Sequence, residues 1–255
     1  MAAINRYCPR SGKPVVAAAL TRYRDVTVGF CNPDCRDDFA QQPDACESDR
    51  RYFDALIRER ALDGDGRLPT LEGARVRLRW LTEADDEALF AVYSDAEVLR
   101  YWSHGPFTRI EQARDYREGI RAGFVDGGLF QWGVARREDD AVIGTVTLNQ
   151  IDRDNLRADI GFALGRAHWG QGHGREAAAL ALAHAFDAMG LQRIGADVDP
   201  RNQASLRLLE ALGFLREGYQ RQSWRVGGGV QDSVLLALLA DGWKSAGLAR
   251  TAAAD

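Results

Sequence analysis

The chain has 255 residues, 45% hydrophobic and 27% charged, a balance that fits a globular protein and excludes a disordered one. No run approaches the roughly 20 apolar residues of a spanning helix, and the opening MAAINRYCPR lacks the apolar core of a secretory signal. A soluble, cytoplasmic protein without membrane association is therefore expected. The net charge of −4 and the scattered arginines offer no field that would draw nucleic acid.

All four cysteines, Cys8, Cys31, Cys35 and Cys46, lie at the front of the chain. Without a secretory signal, such a cluster reads as metal-binding or reduced rather than disulfide-bonded. Residues 1–67 carry 11 basic and 11 acidic side chains, so the acidity belongs to the remainder. Apolar residues at 52, 53, 56 and 57 predict a helix over 49–60 that closes a small front unit, residues 1–62. The stretch Leu62-Asp-Gly-Asp-Gly-Arg-Leu-Pro-Thr70 marks a boundary. A linker is placed at 63–73, a larger domain at 74–243 and a tail at 244–255.

In the larger domain, Arg75-Val-Arg-Leu-Arg-Trp-Leu81 alternates as a half-exposed strand. Thr82 with Asp85 opens a helix through Tyr93 as a capping box, and Thr108 with Glu111 opens another through Phe124. Strands follow at 129–136, 141–151 and 156–165. A glycine-dense loop at 169–174 leads into an alanine- and leucine-rich helix ending near Met189-Gly190. A strand at 192–198, a helix at 202–212 and strands at 214–224 and 230–239, joined by Val226-Gly-Gly-Gly-Val230, complete the domain. Strands and helices mix without strict alternation, which predicts an α+β fold with part parallel and part antiparallel pairing.

In Gly161-Phe-Ala-Leu-Gly-Arg-Ala-His-Trp-Gly-Gln-Gly-His-Gly-Arg-Glu-Ala177 a strand ends, glycines fall at 170, 172 and 174, and a helix begins at once. Glycines let successive backbone N–H groups face one concavity, and the helix N-terminus adds partial positive charge, which together can cradle a phosphate. The pattern is neither Walker A nor the dinucleotide fingerprint; read alone, it is equally a tight turn with close helix packing. Further motifs follow in order: Asp159-Ile-Gly-Phe162 before it, then Asn202-Gln-Ala-Ser205, Gly213-Phe214, Arg216-Glu-Gly-Tyr219, Trp224 and Asp232. With these, residues 75–240 resemble the GNAT superfamily of acetyl-CoA-dependent N-acetyltransferases, and most closely its ribosomal-protein N-terminal alanine acetyltransferase branch. The family pattern usually has Gln or Arg where this chain has Trp169.

The resemblance implies the GNAT fold, a mixed and mostly antiparallel sheet with flanking helices. It implies acetyl-CoA as cosubstrate, its pyrophosphate on the amides of Gln171, Gly172, His173, Gly174 and Arg175, and its pantetheine arm beside Phe162, Ala163 and Leu164. Arg175 and Arg207 are charge partners for the phosphates, or solvated helix surface. Many members place an acidic tyrosine seven residues after the asparagine; here that position is Leu209. By resemblance Ser205 contacts the thiol sulfur, with capping of its helix as the alternative, and Asn202 is an N-cap, a pantetheine ligand or both. Asp159 is the implied base, against the alternative of pairing with Arg157 or Arg79. Tyr101, Trp102 and Phe107 fall where the family builds its acceptor wall, or are plain core. His104, His168, His173 and His184 show no metal-ligand spacing.

Cys8-Pro-Arg-Ser-Gly-Lys13 reads like a zinc-ribbon knuckle whose second cysteine has become Ser11, and Phe30-Cys-Asn-Pro-Asp-Cys-Arg-Asp-Asp-Phe39 supplies a further pair. This spacing resembles the small TRASH/YHS-like metal-associated domains. That resemblance implies zinc on Cys8, Cys31 and Cys35, with Cys46, Asp34 or water as fourth ligand, or else a degenerate module with buried cysteines. The expected function is acetyl transfer to a primary amine, such as a protein or peptide N-terminus, with a front module that holds metal or a partner protein. A monomer or homodimer is expected. The alternative is a non-catalytic acyl-CoA-binding or metal-responsive regulator.

Overall fold

The computed structural model describes residues 3–5, 7–24, 26–60 and 67–245; residues 63–66 of the expected linker and 246–255 of the expected tail lie outside the described residues. The chain divides into two compact units, Met1–Arg67 and Leu68–Asp255.

The front unit is a two-stranded hairpin, β1 (Leu20–Tyr23) and β2 (Val26–Gly29), followed by helices α1 (Pro33–Gln41) and α2 (Glu47–Arg60). The sequence Cys31-Asn-Pro-Asp starts α1 for a definite reason. Asn32 is the N-cap, its side chain accepting the Cys35 amide at 2.8 Å, and Pro33 stands at the first helical position, where no amide is needed. Four buried rings, Tyr23, Phe30, Phe39 and Phe53, fill the centre with centroids 5.3–6.1 Å apart. Cys8 is buried against them.

The second unit is built on one eight-stranded sheet. Its elements are β3 (Leu71–Glu72), β4 (Val76–Arg79), α3 (Asp86–Tyr93), α4 (Ile110–Val125), β5 (Leu129–Arg136), β6 (Val142–Asp152), β7 (Arg157–Leu164), α5 (His173–Ala183), β8 (Arg193–Val198), α6 (Gln203–Ala211), β9 (Leu215–Val226), β10 (Gly229–Leu239) and α7 (Ala240–Ser245). Strand order is β3-β4-β5-β6-β7-β8-β10-β9, antiparallel throughout except between β7 and β8. This is the mixed, mostly antiparallel α+β architecture expected. Residues 68–73, read from the sequence as linker, belong to this unit: Leu68 is buried and the Trp132 indole donates to the Pro69 carbonyl at 2.9 Å.

Alternation decides which face each helix covers. Ala163 packs with Leu89, Val92, Tyr93 and Ala113 of α3 and α4, whereas Leu164 faces Gly174 on α5. The capping box before α3 forms as read, with the Asp85 carboxylate accepting the Thr82 amide at 2.8 Å. Before α4 the partner is Gln112, not Glu111. Its side-chain oxygen accepts the amides of Thr108 and Arg109 at 2.7 and 3.1 Å, because the helix starts at Ile110 and puts Gln112 in the third position. The glycine run between β9 and β10 tightens to a two-residue turn, Gly227–Gly228, with φ of +56° and +80°, the geometry that matches hairpin twist.

Candidate active site

The only parallel pairing in the described sheet is short. Arg157, Ala158 and Asp159 of β7 pair with Arg193, Ile194 and Gly195 of β8, and past Asp159 the strands separate. The backbone of Ile160–Leu164 therefore has no strand partner on that side. The split opens into a cleft of about 640 Å³ lined by Phe162, Ala163, Leu164, Gly172, Gly174, Arg175, Asn202 and Ser205, among others.

The glycine loop closes one end of it. Gly170 and Gly172 sit at φ +72° and +84°, backbone that an L side chain adopts only with strain, and α5 begins at His173 with no side-chain cap. The first intrahelical bond runs from the Glu176 amide to the Gly172 carbonyl at 3.1 Å, so the amides of His173, Gly174 and Arg175 have no partner within the helix. They are free to hold an anion, with the helix dipole in support. Gly174 serves packing instead: a Cβ there would stand 3.1 Å from Leu164 and 3.3 Å from Leu208. The side chains of Gln171 and His173 fall outside the cleft lining, and Gln171 folds back to donate to the Ala167 carbonyl at 2.8 Å. Trp169 is half exposed and its indole donates to the Leu164 carbonyl at 2.7 Å, so that carbonyl is already satisfied by the protein.

Across the cleft, Asn202 is the N-cap of α6, its side-chain oxygen accepting the Ser205 amide at 3.2 Å. The cap is thus Asn202, and the Ser205 side chain is not used for it. Ser205 lines the cleft. Leu209, at the position of the family tyrosine, is buried in the core. Tyr101 and Trp102 line the cleft, but Phe107 does not. Its ring stacks on Tyr93 and His104 with centroids 5.4 and 5.6 Å away, inside the aromatic packing beneath the α3–α4 connection. Arg207 lines the cleft with Arg175. Three further arginines stand here without a sequence motif to mark them, Arg100 in the cleft lining being the first. Arg201 lines the cleft, is held by Asp199 at 2.5 Å and lies 5.6 Å over the Tyr101 ring. Arg75 brings its guanidinium to 3.8 Å from the Cβ position of Gly172. Arg75 is nearly a hundred residues upstream of the loop, so no local pattern marks it.

Asp159 occupies the last parallel pair, at the point where the split begins, and is not itself among the residues that line the cleft. Neither sequence alternative forms: Arg79 pairs with Asp85 and Asp140, and Arg157 with Asp152. Burial raises the Asp159 pKa; Arg157 and Arg193 oppose the rise and Asp197 adds to it. A carboxylate that takes up a proton more readily than usual is suited to general-base work. His184 packs edge-on to Trp132 and is pushed down to about 4 by burial, which makes it a neutral core residue.

Residues 75–215 match the family of acetyltransferase (GNAT) domains. The chain belongs to that family. Over 172 residues it is 37% identical to the uncharacterized N-acetyltransferase p20 of Bacillus licheniformis, covering 68% of this chain and 97% of that one. It is 30% identical over 118 residues to the [ribosomal protein uS5]-alanine N-acetyltransferase of Escherichia coli (strain K12), covering 46% of this chain and 61% of that one. The acetyltransferase (GNAT family) from Bacillus anthracis superposes with a TM-score of 0.62 at 25% identity, over 68% of this chain and 99% of that chain. The protein is an N-acetyltransferase, and enzymes of this family take their acetyl group from acetyl-CoA. The uncapped α5 N-terminus, the unpaired β7 backbone and the cleft arginines fit that thioester.

In the front unit of the acetyltransferase, the sulfurs of Cys8, Cys31 and Cys35 all lie within 4.8 Å of one another. The Ser11 hydroxyl, in place of a fourth cysteine, donates to the Cys31 sulfur at 3.1 Å. Burial works to raise the Cys8 thiol, but hydrogen bonds from the Cys31 amide, the Ser11 hydroxyl and the Arg10 and Ser11 amides bring it down to about 7. Cys46 is elsewhere: its sulfur accepts from Arg10 Nη2 at 3.1 Å, and the same guanidinium bridges Asp38 and Asp49 at 2.6 Å each.

Proposed function

We propose that the acetyltransferase modifies a primary amine, with a protein or peptide N-terminus as acceptor, by direct attack in a ternary complex. The observation that carries this reading is Asp159, a partly desolvated carboxylate without a direct ion pair, set where β7 and β8 part. The likeness to an enzyme named for ribosomal-protein alanine supports the acceptor class. Acetyl-CoA supplies the activated acyl group. Backbone amides of His173, Gly174 and Arg175 hold its pyrophosphate, with Gly172 shaping the turn, and Phe162 and Ala163 offer backbone to the pantetheine arm beside the Asn202 side chain. The amine nitrogen bonds to the acetyl carbon as the carbon–sulfur bond breaks. Asp159 takes the amine proton, directly or through water, and Ser205 donates a hydrogen bond to the departing thiolate.

The front unit, read as a TRASH/YHS-like module, holds one zinc ion on Cys8, Cys31 and Cys35, with Ser11 or water at the fourth position. Three converging thiols support this reading, and a tetrahedral ion needs one ligand more. The four free thiols are in keeping with a cytoplasmic setting. Thioester cleavage measured over a panel of peptides, polyamines and small amines tests the acceptor. Turnover should be fastest with peptides bearing a free α-amine, and a preference for polyamines or aminoglycosides would replace that acceptor.

A further inference from the structure

The acetyltransferase sheet contains a close approach that the site residues do not explain. Asp159 and Gly195 are direct partners in the β7–β8 register, so whatever stands at 195 points to the same face as the carboxylate. A Cβ built on Gly195 would meet Asp159 Oδ1 at 2.3 Å and its carboxyl carbon at 3.3 Å. Atoms at that separation cannot coexist, so the carboxylate fills the space that any other residue's side chain would need. Gly195 is in ordinary extended backbone within β8, so its conformation does not require glycine. Glycine in a strand interior weakens the strand, and its presence there marks a close approach.

Two residues on along β7, on the same face, stands Gly161, also without a side chain, and the Cβ position above it is open space. The charged groups around the carboxylate are Arg157 on β7 and Arg193 and Asp197 on β8. Arg193 is committed to Glu217, and Asp197 accepts the Trp224 indole at 3.0 Å. None of them makes a direct hydrogen bond or ion pair with the Asp159 carboxylate, nor does Asn149, its register partner on β6.

We propose that Gly195 is a positioning residue for acetyl transfer: by lacking a side chain it lets the Asp159 carboxylate lie over β8 at the last parallel pair before the split, from where it takes the proton of the incoming amine. The inference rests on Asp159 acting as base. Its test therefore measures Gly195→Ala, Asp159→Asn and the double variant of the full-length enzyme side by side, with acetyl-CoA affinity by calorimetry.

Gly195→Ala should keep acetyl-CoA affinity within about twofold of wild type and lower kcat/KM roughly 10- to 100-fold at pH 6.5–7. The deficit should shrink at high pH, as it should for Asp159→Asn. In the Asp159→Asn background, Gly195→Ala should cost little more, since the base is already lost. If Asp159→Asn has a normal pH profile, the base reading itself fails. If Asp159→Asn is impaired and Gly195→Ala is not, or if the two losses simply multiply, the positioning role is overturned. Should Gly195→Ala fold poorly, Asp159→Ala in the same chain removes the clashing atoms and should restore the melting temperature. A double variant as unstable as the single one would also overturn the proposal.

Discussion

Burial and, to a smaller extent, Asp197 raise the pKa of Asp159, and the charges of Arg157 and Arg193 do not cancel the effect. The linkage sign follows. Above the ordinary value of 3.8 the folded chain binds a proton more readily than the unfolded one, so ionised Asp159 weakens the fold as pH rises through its raised pKa. Asp159→Asn should accordingly melt higher than wild type at pH 7–8, with the gain gone by about pH 4 or below. The same variant should lose kcat/KM on the acidic limb and recover at high pH, where free amine needs no base. A lower melting temperature at pH 7 together with a parallel pH profile would contradict both statements. Ser205 has a different signature. With Asn202 serving as the cap, Ser205→Ala should leave α6 intact and reduce kcat by about 10- to 100-fold, nearly independent of amine pKa. Unchanged kcat in single-turnover assays would remove Ser205 from thiolate stabilisation.

At the scale of the elements, the glycines of the α5 loop divide between two jobs. Gly172 is held at φ +84° beside three free amides, and its Cβ position is clear of everything nearer than Arg75. Gly172→Ala should therefore cost about 1 kcal/mol of stability through backbone strain alone. The turn should relax away from the positive region, and acetyl-CoA binding should weaken roughly tenfold or more by calorimetry. Gly174 packs under Leu164 and Leu208, so Gly174→Val should act mainly on the melting temperature. Equal effects of the two variants on affinity at matched stability would argue against this division.

For the whole chain, the front unit and the acetyltransferase unit are separate compact bodies. The residues that match the acetyltransferase family, 75–215, all fall within the second of them. A chain starting at residue 68 should retain cleavage of acetyl-CoA with a peptide acceptor, and an insoluble or inactive product would make the front unit part of the enzyme. Full-length protein purified without chelator should contain close to one zinc per chain by elemental analysis. Cys31→Ser or Cys35→Ser should abolish it. Cys46→Ser should retain it, because that sulfur sits with Arg10 outside the cluster. Zinc lost equally in all three would bring Cys46 back as the fourth ligand.

Much of this was legible in the residues themselves. Strands β5 to β8 stood within a residue or two of their final limits, because period-two alternation and the flanking turns are local properties of the chain. The glycine loop was legible for the same reason, since a positive φ and an uncapped helix start are written into consecutive residues. Contacts between distant segments were not. Gln112 replacing Glu111 in the α4 cap depended on where the helix began, and Phe107 left the acceptor wall because Tyr93 and His104 offered it a stack. The separation of Cys46 from its three companions was decided by Arg10, brought beside it by folding. Gly195 carried no motif at all. Only the parallel register of two strands set it against Asp159, because the space a side chain occupies is fixed by what packs beside it and not by its neighbours in the chain.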